Sequence, residues 1–112
     1  MDSGNSQFTA AAVQMAPVFL NKDETIGKVI RLIEEAASNG ANLIVFPETT
    51  IPCYPYWPKD LGTIEGRKLV LDAYTALYKN SIEIPSKASD KMAKEAKHSA
   101  HYVVIGVTDR YV

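Results

Sequence analysis

The sequence predicts an α/β fold built on a parallel sheet, and three observations carry that reading. Two short apolar segments, residues 8–15 and 43–46, flank a strongly periodic helical segment, and a third apolar run at 102–107 follows two further helical stretches. Strand, helix, strand in that order reads as a right-handed parallel crossover. The 112 residues, 46% hydrophobic and 22% charged, suffice for one domain with a modest core and exclude a multidomain enzyme.

Each element has its own warrant. Phe8-Thr9-Ala10-Ala11-Ala12-Val13-Gln14-Met15 is nearly continuously apolar, as in a strand covered on both faces, although its alanines alone would allow a helix. Asn21 and Glu24 stand at capping-box spacing, and Ile26, Val29, Ile30, Ile33, Ala36 and Ala37 then recur at helical intervals until Gly40 supplies a left-handed stop. Leu43-Ile44-Val45-Phe46, bounded by Pro47, is the second strand. Between 49 and 60, Pro52, Pro55 and Pro58 alternate with Tyr54, Tyr56 and Trp57, which leaves a stiff aromatic loop. Leu69, Val70, Ala73 and Leu77 share a helical face. After Pro85, a third helix capped by Ser86 turns Met92, Ala93, Ala96 and Ala100 inward and Lys91 and Glu95 outward. Tyr102-Val103-Val104-Ile105-Gly106-Val107 is apolar without alternation, the pattern of a central strand with both faces covered. The order is β-α-β-α-α-β.

Twelve Lys and Arg balance thirteen Asp and Glu for a net charge of −1, so no surplus of positive charge is available to hold a nucleic-acid backbone or an anionic membrane. The single cysteine, Cys53, forms no intramolecular disulfide, and no clustered thiols or histidines have metal-ligand spacing. The first seven residues lack the basic and apolar stretches of a secretory signal, and no apolar run reaches membrane-spanning length. These features predict a cytoplasmic protein in a reducing compartment.

Glu48 stands where chemistry is expected. It follows the second strand and the rigid Pro47, at the carboxyl edge of a parallel sheet, where ligands of open α/β sheets bind. A carboxylate there suits a general base or a ligand; it equally suits a turn cap or a partner for a lysine. Cys53 has only Lys59 nearby in sequence to lower its thiol pKa, which points to a loop or pocket-lining thiol and not to a nucleophile. Tyr54 could line a ligand pocket or cover the sheet end, whereas Trp57 has the size and shape of a packing residue. His98 and His101, near the end of the third helix, receive no role. A glycine-rich phosphate turn after the first strand is absent, which argues against a nucleotide-binding domain.

Several of these segments together resemble the N-terminal part of the carbon–nitrogen hydrolase (nitrilase) superfamily. They are Ala12-Val13-Gln14-Met15 with Pro17, the helix end Ala36-Ala37-Ser38-Asn39-Gly40-Ala41, Leu43-Ile44-Val45-Phe46-Pro47-Glu48-Thr49, Pro52, and Tyr102 to Val107 with Asp109-Arg110. Tyr54-Pro55-Tyr56 is similar to the nitrilase branch. Phe46-Pro47-Glu48 after a strand is among the family's more specific signatures, and the resemblance extends over nearly the whole chain.

The resemblance implies an α-β-β-α sandwich, of which residues 1–112 would be the N-terminal part of one domain, truncated before the remaining strands. It implies hydrolysis of a small-molecule nitrile to a carboxylic acid and ammonia through a cysteine thioimidate, without metal or organic cofactor, in a homo-oligomer when full length. Glu48 matches the family's general-base glutamate, and Tyr54 falls beside the substrate. The family's lysine, second glutamate and nucleophilic cysteine lie beyond the strand matched by 102–107, so these 112 residues alone are expected to be inactive. The competing expectation is a non-catalytic α/β module, or half of a split enzyme, that acts by associating with a complementary chain.

Overall fold

The computed structural model of the protein describes residues 6–59, 61–99 and 102–110. Six elements follow in the predicted order: β1 (Ala10–Ala12), α1 (Lys22–Ser38), β2 (Leu43–Val45), α2 (Ile64–Lys79), α3 (Lys87–His98) and β3 (Tyr102–Val104). The strands form a parallel sheet in the order β1-β2-β3, with Ala11 opposite Ile44 and Ile44 opposite Val103. Among the described residues no helix is long and apolar enough to cross a membrane.

The helix boundaries follow from their caps. The Asn21 side chain accepts a hydrogen bond from the Glu24 amide at 3.0 Å, and Asp23 and Glu24 place negative charge on the first turn of α1. Gly40 follows the helix at φ 91°, the left-handed region that favours glycine. Ser86 starts α3 through a reciprocal pair: its hydroxyl accepts from the Ser89 amide, and the Ser89 hydroxyl accepts from the Ser86 amide. Thr63 caps α2 by accepting from the Gly66 amide at 2.8 Å.

The core lies on one side of the sheet. Ile26, Val29 and Ile33 of α1 meet Ile44 of β2, Ala41, Phe46 and Ile51, with Met92 of α3 and Val103 of β3 packed against them. Burial of this apolar surface is the main favourable term for the fold, at roughly 25 cal/mol per Å2.

The opposite face is open, contrary to the expectation that the apolar runs of β1 and β3 are covered on both sides. Tyr102 is 80% exposed, Val104 54% and Val45 37%, and Ala10 and Ala12 are exposed beside them. The reason is topological. In the order β1-β2-β3, successive right-handed crossovers travel in one direction, so the connecting helices α1 and α3 fall on the same face and pack against each other. The described strands also span three residues each, fewer than the apolar runs suggested. Hydrogen bonds continue past them, from the Val13 amide to the Val45 carbonyl and from the Phe46 amide to the Val104 carbonyl, both at 2.8 Å.

Helix α2 buries little. Leu77 is buried and Val70 and Ala73 are half-buried, but Leu69, predicted on the same inner face, is exposed. Met92 and Ala96 of α3 face inward as predicted, while Ala93 is exposed and Ala100 lies outside the described residues. Lys91 is exposed as expected; Glu95 is half-buried and accepts a hydrogen bond from the Ser99 hydroxyl at 3.1 Å, which corrects its assignment to the wet face. The molecule is elongated, 65 × 25 × 22 Å, with a radius of gyration of 17.1 Å against about 13 Å for a compact domain of this length.

Candidate active site

The segment after β2 is fixed residue by residue. Phe46 is buried in the core and its amide donates to β3, which anchors the chain at the strand end. Pro47 and Glu48 then emerge exposed at the carboxyl edge of the sheet. Thr49 turns the chain with φ 47°, a conformation uncommon for a β-branched residue. Thr50 returns it to the interior: its amide donates to the Gly106 carbonyl at 2.8 Å and its hydroxyl to the Pro47 carbonyl at 2.7 Å. Ile51, fully buried, accepts from the Thr108 amide at 2.9 Å.

Gly106 makes this turn possible. A Cβ there would lie 2.8 Å from Glu48 Cα and from the Thr49 nitrogen, and 2.9 Å from the Pro47 oxygen. Only a residue without a side chain lets the segment after β3 pass this closely. The Glu48 backbone is thus held from both sides while its carboxylate reaches solvent. Among the described residues the buried Thr49 hydroxyl beside it has no hydrogen-bond partner. Sequence reasoning missed Thr50, Thr49 and the part played by Gly106; the glycine inside an apolar strand pattern was the one available sign of a close backbone approach.

The aromatic loop divides by residue. Cys53 is fully buried, and desolvation pushes its thiol pKa up, with a backbone hydrogen bond at Leu20 pulling weakly the other way. Such a thiol is protonated and inert, in line with a structural role. Trp57 packs edge-on against Tyr74 at 5.3 Å between ring centroids and against Phe19 at 6.3 Å, as expected of a packing residue. Tyr54 is 54% exposed, and among the described residues no hydrogen bond or ring contact ties its side chain to Glu48. Its carbonyl accepts from the Tyr56 amide at 2.9 Å. His98 is exposed at the end of α3, and His101 lies outside the described residues. Among the described residues no three His, Cys, Asp or Glu side chains gather as metal ligands.

An exposed glutamate at a parallel strand end, on a backbone pinned by a glycine contact, is placed to act as a base or a ligand toward a group brought to this edge. The family model for carbon-nitrogen hydrolase matches residues 9–111, nearly the whole chain. This chain belongs to the carbon-nitrogen hydrolase family. It is 44% identical over 109 residues to a nitrilase of Bacillus sp. (strain OxB-1), covering 96% of this chain and 30% of that protein. It is 40% identical over 100 residues to a nitrilase of Pseudomonas syringae pv. syringae (strain B728a), covering 89% and 29%. A cyanide hydratase of Armillaria gallica is 36% identical over 108 residues, covering 96% and 29%. The chain therefore spans about 30% of the length of these relatives.

Proposed function

We propose that residues 1–112 form the N-terminal part of a nitrilase domain in which Glu48 is the general base. The observation that carries this reading is the pinned turn at the carboxyl edge, where Phe46, Thr50 and Gly106 hold the backbone around Glu48 and Glu48 itself is exposed. The similarity to two nitrilases supports the reaction class. In this reaction a cysteine thiol gives its proton to Glu48 and the thiolate adds to the nitrile carbon, forming a thioimidate. Water adds to that carbon, ammonia leaves, and a second water releases the carboxylic acid and restores the thiol. Tyr54, exposed on the loop beyond Glu48, lines the entrance for the nitrile. The assembled enzyme is a cytoplasmic homo-oligomer.

Cys53 is not the nucleophile, because its thiol is buried and its pKa raised. The 112 residues alone accordingly turn over no nitrile. A second reading, association with a complementary chain, draws on the open apolar face of Val45, Tyr102 and Val104. Ammonia release from an aromatic or an aliphatic nitrile tests both. The purified chain should release none, and adding a polypeptide that matches the Bacillus nitrilase beyond the aligned region should restore release. Ammonia from the chain alone that survives Glu48→Gln would contradict the proposal.

A further inference from the structure

The carboxyl edge carries a second feature, on the helix-covered side of the sheet. Helices α1 and α3 run opposite to the strands, so both begin at this edge. Between their first turns lies a cavity of about 370 Å3, lined by Lys22 and Asp23 of α1, Lys87 and Lys91 of α3, and by Glu83 and Arg110. Glu48 is not among its walls.

The charges in this cavity do not balance. Arg110 is ion-paired with Glu83 at 3.2 Å, donates to the Tyr78 carbonyl at 3.2 Å and lies over the Tyr78 ring at 5.4 Å from its centroid. Those two opposite charges answer each other, which leaves three lysine ammonium groups against the single carboxylate of Asp23. Among the described residues none of the three lysines has an ion-pair partner. Three like charges around one concavity repel one another, and the positive ends of two helix dipoles add to the field. A doubly charged anion would cancel the surplus of two.

We propose that this cavity binds a compact dianion, either a phosphate or a short dicarboxylate. The site is separate from Glu48 and does not depend on the reading of the chain as a nitrilase. Isothermal titration of the 112-residue chain with inorganic phosphate, and separately with succinate, tests it at constant ionic strength held with sodium chloride. At least one of the two should give saturable one-to-one binding; the one that does identifies the source of the charge. Lys87→Gln together with Lys91→Gln should weaken that binding by about tenfold or more, equivalent to about 1.4 kcal/mol. Asp23→Asn should tighten it, a gain that loss of folding cannot produce. Lys94→Gln with Lys97→Gln, the same change of charge on α3 outside the cavity, should leave it unchanged. No saturable binding of either anion, or equal weakening by the two lysine pairs, would overturn the proposal.

Discussion

Glu48 owes its position to neighbours that carry no reactive group. Gly106 passes so near the Glu48 and Thr49 backbone that a methyl group would overlap three atoms within 3 Å. Because those atoms are backbone and not the end of a flexible side chain, relief requires moving the turn itself. Gly106→Ala should therefore destabilise the chain by about 1–3 kcal/mol in urea denaturation. An unchanged midpoint would show that the contact is looser than described. Phe46-Pro47-Glu48 stands out in the sequence as a candidate site through its resemblance to the family motif, because by position alone the carboxylate equally suits a turn cap or a partner for a lysine. Thr50 does not, because the bond from its amide to the Gly106 carbonyl exists only once the strands are paired, and its hydroxyl bond to Pro47 is an ordinary local turn contact. Cys53 is readable as a loop or pocket-lining thiol because only Lys59 is nearby in sequence, and the structure buries it.

At the scale of elements, α1 and α3 show why caps and periodicity are readable and packing partners are not. Asn21, Gly40 and Ser86 set their helix ends through bonds within a few residues, so the sequence displays them directly. The pairing of α1 with α3 depends on the crossover direction and brings together residues far apart in the chain. One consequence is a carboxyl pair, Glu34 of α1 with Glu95 of α3. A hydrogen bond to Glu95 and the repulsion of its charge raise the Glu34 pKa, against smaller opposing effects of His98 and Arg31. A carboxyl whose folded pKa is raised favours the fold while protonated, and that contribution is lost as pH rises through the folded value. Melting temperature should thus contain a component that falls from pH 4.5 toward neutrality. Glu34→Gln, which keeps a hydrogen-bonding side chain without the charge, should flatten it. An identical pH profile in the variant would show that the two carboxyls do not communicate.

The whole molecule has one finished face and one unfinished. The sequence displayed apolar runs in β1, β2 and β3 and so correctly gave a parallel α/β sheet, but it could not say which covering elements lie within these 112 residues. The alternate residues Ala11, Ile44 and Val103 meet the helices; Val45, Val104 and Tyr102 point the other way and stay exposed. Burying that second face is what a further layer of a carbon-nitrogen hydrolase sandwich would do. Tyr102→Lys should change the stability of the chain alone by no more than about 0.5 kcal/mol, since that side chain is 80% exposed. The same change should abolish restoration of activity by the complementary polypeptide; intact restoration would place the contact elsewhere. The most direct test of Glu48 as the general base is a fusion in which these 112 residues replace the matching part of the Bacillus nitrilase. Its kcat for ammonia release should fall by roughly 10²–10⁴ in Glu48→Gln and stay near that of the parent fusion in Cys53→Ala. A Glu48→Gln fusion that keeps its full kcat would contradict the assignment.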